Sequence, residues 1–267
     1  MELLQVEGGE MAYYDIGQGP AVTLLHGFTQ TATSWLEVVD LMPQTQRWLI
    51  PDLRGHGRSR ASGPHTLDAC VDDLIKLWDS LSAREVHLVG YSMGGRLALH
   101  LATTYPQRLL SLTTLGCGAW LDDSAREARL ESDLAMADQI DDLGIDLFVD
   151  RWLSLPLFAG LKRRGPDFEA RTRAQRLVNR PEGVARSLRE MGPGAQPAPN
   201  RAALATIKCP SLFLAGELDA RYVEAAAGLA KAVPGGRFGV LPGVGHAAHL
   251  EDPNEFARVL ATHLSDR

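Results

Sequence analysis

The sequence has few cysteines, and their spacing is not that of a metal site. Its 267 residues include only three, Cys70, Cys117 and Cys209, which are far apart and odd in number. A disulfide framework or a structural zinc site needs more cysteines at closer, regular spacing. We therefore expect no metal and a reducing, cytoplasmic setting.

Long apolar runs and an excess of basic residues are also missing. No stretch reaches the roughly 18 apolar residues that a membrane-spanning helix needs, so no membrane partner is expected. The amino-terminal MELLQVEGGEM contains acidic residues and no long apolar core, which is not the pattern of a signal peptide. The formal net charge of -6 makes nucleic acid an unexpected partner. With 45% hydrophobic and 22% charged residues, the chain has the composition of a globular protein.

Short apolar runs alternate with helical patterns in the first 118 residues. Apolar residues recur at helical spacing over 67–81 and 92–104. Runs of strand length lie at 11–16, 21–27, 47–52, 85–90 and 109–117. Nearly continuous apolar strands with helices between them predict a parallel sheet covered on both faces.

The alternation stops after residue 118 and resumes at SLFLAGE, which begins at Ser211. Residues between these points have helical composition and no convincing strand. We predict an α/β core formed by residues 1–118 and 201–267, with a mostly parallel eight-stranded sheet, and an inserted helical cap over 119–200.

Charge is unevenly distributed within the predicted cap. Residues 120–150 contain two arginines against ten acids, whereas residues 151–200 contain ten basic residues against four acids. Two interpretations stay open. The segments form two solvated faces of opposite sign, or the basic segment covers an anionic ligand.

Ser92 lies where an apolar run meets a helical pattern, in Gly90-Tyr91-Ser92-Met93-Gly94. A serine between two such glycines, after a strand and before a helix, is typical of a nucleophile elbow. The glycines allow a tight turn that presents the hydroxyl. The alternative is a serine that caps the helix, with glycines required for close packing.

A nucleophilic serine needs a base and an acid that orients the base. In this topology the three residues follow the order serine, acid, histidine. Asp219 follows a strand in AGELDARY, and His246 follows the last strand in GVGHAAHL. Because loops at the carboxyl ends of parallel strands converge, we predict a catalytic triad of Ser92, Asp219 and His246. His249 is an alternative base and Glu217 an alternative acid, and we expect both to be structural.

The triad requires hydrogen-bond donors for a developing oxyanion. We expect the backbone N–H of Met93, directly after the nucleophile, and that of Phe28 in HGF. His26 beside it is expected to be structural. Asp52 and His56 in the segment PDLRGHGRS look catalytic in isolation, and we expect them to hold neighbouring loops.

Five motifs, taken together, resemble the α/β-hydrolase superfamily: HGF, DLRGHGRS, GYSMGG, AGELD and GVGHAAHLEDP. They occur in the family's order, and they leave out only the predicted cap. The resemblance implies the α/β-hydrolase fold with helices on both faces of the sheet. Serine at the elbow argues against the branches that use aspartate there, the epoxide hydrolases and haloalkane dehalogenases.

Three further segments resemble the 2-succinyl-6-hydroxy-2,4-cyclohexadiene-1-carboxylate (SHCHC) synthases of menaquinone biosynthesis: SMGGRLAL, FVDRWLSLPLFAGL and SLREMGPGAQPA. The resemblance implies a lyase that needs no cofactor. It eliminates pyruvate from 2-succinyl-5-enolpyruvyl-6-hydroxy-3-cyclohexene-1-carboxylate. The matching substrate-binding positions are Tyr91, Arg96, Arg129 and Trp152. The chain departs from the family at GCGAWLDD, where a Pro-Gly-Leu-like turn is usual.

Physical chemistry gives Arg96 a reason to bind such a substrate, a small polycarboxylate anion. Arginine binds a carboxylate through two parallel hydrogen bonds, and Arg96 lies one helical turn beyond Ser92. The alternative is that Arg96 pairs with a structural acid or reaches solvent.

Two other functions stay open, a serine carboxylesterase or C–C bond hydrolase with the same triad, and a non-catalytic receptor for small molecules. For the assembly we expect a monomer or a weak homo-oligomer.

Overall fold

A single sheet forms the centre of the molecule in the computed structural model, which describes residues 1–118, 122–195 and 199–265. The strands follow the order β1-β2-β4-β3-β6-β7-β8-β9, and the two-residue β5 pairs with β2. The pairs from β4 through β9 are parallel, whereas β2 is antiparallel to its neighbours. The strands are β1 Glu2–Val6, β2 Gly9–Gly17, β3 Ala21–Leu25, β4 Arg47–Pro51, β5 Arg60–Ala61, β6 Val86–Tyr91, β7 Leu109–Leu115, β8 Ser211–Gly216 and β9 Arg237–Leu241. The predicted mostly parallel, eight-stranded sheet is confirmed, with β5 as a short addition.

The central strands are buried on both faces, which explains their continuous apolar sequences. Every residue of β3, β6 and β8 is buried, as expected for strands with helices on either side. Trp78 packs on one face and Trp35 on the other, and neither is exposed to solvent. Side chains of this kind each stabilise the fold by about 1.5–3 kcal/mol.

Ten α-helices are present in the described residues. They are α1 Leu36–Leu41, α2 Leu67–Ser80, α3 Met93–Thr104, α4 Asp123–Leu153, α5 Pro166–Arg176, α6 Pro181–Met191, α7 Arg201–Leu204, α8 Ala220–Ala232, α9 Ala248–Glu251 and α10 Pro253–Ser265. None of them is long and apolar enough to cross a membrane. Between β7 and β8 the described residues form α4 to α7 and the 3₁₀ segment Pro156–Arg164, without a strand. Residues 119–121 and 196–198 of the predicted cap lie outside the described residues.

Gly144 breaks α4 in its second half. Its φ of 73° and ψ of 173° are not helical. Glycine adopts this backbone without a steric penalty from a side chain, and an added Cβ would meet nothing within 4 Å. The helix therefore changes direction at Gly144.

Asn179, which follows α5, attaches this helical segment to the core. Its buried side-chain oxygen accepts a hydrogen bond from the Gly57 N–H at 2.6 Å, and its amide donates to the Thr29 carbonyl at 2.6 Å. Gly57 and Thr29 belong to the loops after β4 and β3. The helical segment is thus fixed over the carboxyl edge of the sheet, where the candidate site lies.

Candidate active site

Ser92 occupies a sharp turn between β6 and α3. Its φ of 51° and ψ of -107° are unusual for a residue with a side chain, and such a conformation costs about 1–3 kcal/mol unless its surroundings enforce it. The Ser92 N–H donates to the Leu115 carbonyl at 2.9 Å, which holds the turn against β7. Among the described residues the hydroxyl caps no N–H of α3. It is turned toward His246 instead.

Two glycines make this turn sterically possible. A Cβ on Gly90 would lie 2.3 Å from the Gly94 carbonyl oxygen. A Cβ on Gly94 would lie 2.3 Å from the Leu25 carbonyl oxygen and 2.7 Å from that of His26. All three neighbours are backbone atoms, one on α3 and two at the end of β3, so they could move only if the backbone were distorted. Both predicted elbow positions therefore require glycine, because neighbouring backbone lies too close to leave room for a side chain.

We expect Gly94→Ala to lower the free energy of unfolding by about 1–3 kcal/mol, because the methyl group overpacks the junction of β3 and α3. Denaturant titration measures this change. Gly228→Ala in α8 is the matched control, since an added Cβ there meets nothing within 4 Å, and alanine in a helix stabilises by about 0.5–1 kcal/mol. Equal stability of the two variants would contradict the steric account.

The structure brings Ser92, His246 and Asp219 together. His246 Nε2 lies 3.1 Å from Ser92 Oγ, and His246 Nδ1 lies 2.6 Å from Asp219 Oδ2. Both are hydrogen-bond distances. A carboxylate at Nδ1 favours the tautomer with its proton there, which leaves Nε2 to accept the serine proton. This arrangement can activate the serine hydroxyl as a base or as a nucleophile.

Glu251, which sequence analysis did not select, holds the loop that carries His246. Its side chain is 0% exposed, and Oε2 accepts hydrogen bonds from the Gly245 N–H at 2.8 Å and from Arg163 at 2.9 Å. Arg163 also donates to the Gly243 carbonyl at 2.8 Å. Glu251 thus joins the histidine loop to the segment Pro156–Arg164.

Glu251→Gln should lower the free energy of unfolding by about 1.5–3 kcal/mol, because charge-assisted hydrogen bonds to a buried carboxylate are lost. We also expect a lower kcat with little change in KM, since the His246 loop becomes less well fixed. Thermal unfolding and steady-state kinetics measure the two effects. Glu255→Gln on α10, where the ion pair with Arg258 is more exposed, is the control and should change little. A Glu251→Gln variant with normal kcat would contradict the positioning role.

The two alternative triad residues lie elsewhere. Glu217 Oε2 accepts the Gly243 N–H at 2.7 Å in an exposed turn. The ring of His249 packs between Trp35 and Tyr91, with centroid distances of 4.5 and 4.3 Å. Burial holds the pKa of His249 well below its usual range, and neither ring nitrogen has a hydrogen-bond partner among the described residues. The structure brings neither residue to Ser92.

The other candidate residues with suggestive chemistry hold loops. His26 Nε2 accepts the Leu53 N–H at 3.0 Å. Asp52 accepts the Ala32 N–H at 2.7 Å, and it is buried. His56 is buried beside His26, and this burial lowers its pKa to about 3. All three are therefore built into the loops that follow β3 and β4.

Phe28 and Met93, the predicted oxyanion donors, border the same cavity as Ser92. Met93 is the first residue of α3, where backbone N–H groups have no acceptor within the helix. Phe28 lies in a turn closed by the Gln30 N–H, which donates to the Gly27 carbonyl at 3.1 Å. The Gln30 side chain also accepts the Gly27 N–H at 3.3 Å. Both N–H groups are thus carried by well-fixed backbone.

Aromatic rings form one wall of this cavity, whose volume is about 890 Å³. Trp152 packs edge-on against Phe28, with ring centroids 5.3 Å apart, and at a tilt against Phe158, with centroids 5.4 Å apart. Tyr91 and Tyr222 pack against the His246 ring at 5.3 and 4.6 Å. The predicted residues Tyr91 and Trp152 therefore both line the cavity.

Arginines border the cavity near the triad. Arg96 is half-buried on α3 one turn after Ser92. Its partial removal from water lowers its pKa to about 10, so that it is still a cation at neutral pH. Arg129 also lines the cavity, and its Nε donates to Asp133 at 2.7 Å. The structure therefore gathers both predicted arginines beside Ser92.

A third arginine, Arg176, was missed by the sequence analysis. It ends α5 and lines the cavity with only 1% of its surface exposed. Within the described residues, its guanidinium group makes one hydrogen bond, from Nη1 to the Thr172 carbonyl at 2.8 Å, and forms no ion pair. A buried cation without a carboxylate partner is costly. The sequence signal was the basic segment 151–200, which contains nine other basic residues.

Comparison with known proteins identifies the family to which this fold belongs. Residues 24–259 match the model of the alpha/beta hydrolase family. The chain is 34% identical to a putative SHCHC synthase of Bacillus subtilis (strain 168), over 92% of this chain and 90% of that protein. Among solved structures, MenH from S. aureus is similar with a TM-score of 0.89, 28% identity and coverage of 96% of this chain and 98% of that one. A malate-bound thermophilic esterase from Thermogutta terrifontis has a TM-score of 0.87 and 28% identity, covering 99% of this chain and 98% of that one.

The fold, the family match and the similarity along nearly the whole chain agree with the motifs in the sequence. The chain is an enzyme that belongs to the α/β-hydrolase family, in which it is similar to the SHCHC synthases.

Proposed function

We propose that this enzyme is an SHCHC synthase, a carbon–oxygen lyase that forms SHCHC by eliminating pyruvate from 2-succinyl-5-enolpyruvyl-6-hydroxy-3-cyclohexene-1-carboxylate. The observation that carries the proposal is a serine–histidine–aspartate arrangement in one cavity with Arg96, Arg129 and Arg176. Hydrolysis of a simple ester would need the serine–histidine–aspartate arrangement but not the three arginines. Relatives that are named SHCHC synthases support the same assignment.

The triad supplies the base. Asp219 orients His246, and His246 takes the hydroxyl proton of Ser92 as the serine oxygen removes a proton from the substrate carbon next to the succinyl carbonyl. The electron pair of that C–H bond moves onto the carbonyl oxygen, which becomes an enolate. The backbone N–H groups of Phe28 and Met93 stabilise this oxygen where its charge develops.

Elimination completes the reaction. The enolate electrons return to the ring and shift its double bond, which breaks the C–O bond to the enolpyruvyl group. That group leaves as the enolate of pyruvate and takes up the proton that His246 holds, which restores the free triad. Ser92 remains free of any acyl group throughout. No metal or organic cofactor enters this sequence.

The substrate's three carboxylates are held by arginines. Arg96, Arg129 and Arg176 can each offer two parallel N–H donors to a carboxylate. Binding supplies the anionic partner that buried Arg176 lacks within the described residues. Trp152 and Tyr91 pack against the ring of the substrate on the apolar side of the cavity.

A serine carboxylesterase or C–C bond hydrolase is the second candidate. The same three residues would then act through an acyl-enzyme and water, and the similarity to the esterase structure favours this alternative. A burst of product from p-nitrophenyl esters is its kinetic signature. A non-catalytic receptor is the third, and saturable binding without turnover would support it.

The test is a pyruvate-release assay on the proposed substrate with wild-type enzyme, Arg96→Ala and Arg258→Ala. We expect one pyruvate per substrate consumed and a loss of about 10²-fold in kcat/KM for Arg96→Ala, since two charge-assisted hydrogen bonds are removed. The Arg258→Ala control changes an exposed residue of α10 and should behave as wild type. Unchanged kcat and KM in Arg96→Ala would contradict the carboxylate contact.

Three organisational features are also proposals. Residues 119–200 act as a cap over the cavity, supported by the hydrogen bonds of Asn179. The enzyme works in the cytoplasm, as its three free cysteines suggest. It is a monomer or a weak homo-oligomer.

A further inference from the structure

The cavity continues beyond the triad as a trench along α8. Arg221, Ala225, Gly228 and Lys231 all border it, and their spacing places them on one face of the helix. Lys231 lies ten positions after Arg221, which corresponds to about 15 Å along an α-helix. The small side chains of Ala225 and Gly228 leave room between the charged ends. The trench thus has the length for an extended chain, with small side chains along α8.

Its borders carry an excess of positive charge. Arg126 of α4 and Arg201 of α7 join Arg221 and Lys231 at the trench. All four are exposed, and none forms an ion pair with any described residue. Among the described residues that line this outer end, Glu224 is the one acidic residue.

This concentration of cations contrasts with the whole chain, which has a net charge of -6. Many other arginines are neutralised by acids, such as Arg173 by Asp150 at 2.6 Å and Arg189 by Asp138 at 2.6 Å. A focused positive potential beside a cavity raises the local concentration of anions. The trench therefore favours an anionic group at its far end.

We propose that the trench is a second anion site, which binds the distal carboxylate of an elongated dicarboxylate. One carboxylate lies among Arg96, Arg129 and Arg176, and the chain runs along Ala225 and Gly228. The other carboxylate reaches Arg201 and Lys231. The proposed reaction does not require this second site. The proposal rests on the proposed function only where it assigns the inner carboxylate to the three arginines.

The test measures the affinity of the wild-type enzyme for linear dicarboxylates by calorimetry, from succinate through adipate and sebacate to dodecanedioate. Decanoate and laurate are the matched monocarboxylates. Because two linked contacts reinforce each other, sebacate or dodecanedioate should bind at least ~10-fold more tightly than adipate and than the monocarboxylate of equal length. Equal affinity of matched mono- and dicarboxylates would overturn the proposal.

Charge reversal locates the distal contact. Lys231→Glu should remove the advantage of the long dicarboxylate, whereas Lys208→Glu, an exposed lysine outside the cavity, should retain it. Equal losses in both variants would indicate a general charge effect and would overturn the site.

These measurements need no turnover. Preferential binding of long dicarboxylates without pyruvate release would retain the trench site and reject the proposed reaction. Pyruvate release without that preference would reject only the trench site.

Discussion

Ser92→Ala is expected to lower kcat for pyruvate release by about 10²–10⁴-fold, the usual contribution of a positioned acid–base group. The hydroxyl lies 3.1 Å from His246 Nε2, and in the proposed mechanism it alone reaches the substrate proton. KM should change little, because arginines rather than Ser92 hold the carboxylates. Steady-state assays of pyruvate release measure both parameters.

Ser187→Ala is the matched control for this experiment. Ser187 also lines the cavity, but its hydroxyl donates to the Val184 carbonyl of its own helix at 2.8 Å. We expect activity close to that of the wild type. Near-normal kcat in Ser92→Ala would remove the serine from the mechanism and leave His246 to act directly.

Arg176→Met is expected to reduce kcat/KM by about 10²-fold or more, through the loss of a charge-assisted contact to a substrate carboxylate. The same variant should leave the free enzyme as stable as the wild type, or more stable by up to about 2 kcal/mol. The reason is that Arg176 is buried without an acidic partner among the described residues, and replacing a poorly compensated buried charge by an apolar side chain is often stabilising. Kinetics and thermal unfolding without ligand measure the two effects.

Arg171→Met on the same helix separates this effect from a general loss of positive charge. Arg171 is exposed, and its guanidinium lies 5.8 Å from the ring of Phe168. The control should retain kcat/KM. Destabilised Arg176→Met with normal kcat/KM would assign Arg176 a structural role instead.

Most of the sheet could be predicted because its strands are continuous apolar runs. The prediction missed β1, Glu2–Val6, because most of its residues are exposed and no apolar run marks them. The start of α8 at Ala220 is also not marked in the sequence. The apolar pattern begins only at Val223, whereas the helix begins directly after Asp219. The polar first turn carries no hydrophobic signal.

The candidate triad could be predicted because its residues follow a fixed order on loops that converge at one edge of the sheet. Glu251 and Arg176 could not be selected, because what distinguishes them is burial. Glu251 differs from other acids near the triad in having its carboxylate enclosed by Gly245 and Arg163. Arg176 differs from its basic neighbours only by facing the cavity. Such facts depend on packing between distant segments, which spacing along the chain does not encode.

The most direct test of the account compares two reactions in one enzyme preparation. The first is pyruvate release from 2-succinyl-5-enolpyruvyl-6-hydroxy-3-cyclohexene-1-carboxylate, and the second is hydrolysis of a small p-nitrophenyl ester. The account predicts that kcat/KM for pyruvate release is at least ~10³-fold higher, because only that substrate engages the arginines. A burst of p-nitrophenol with no pyruvate formed would contradict it and identify a serine esterase.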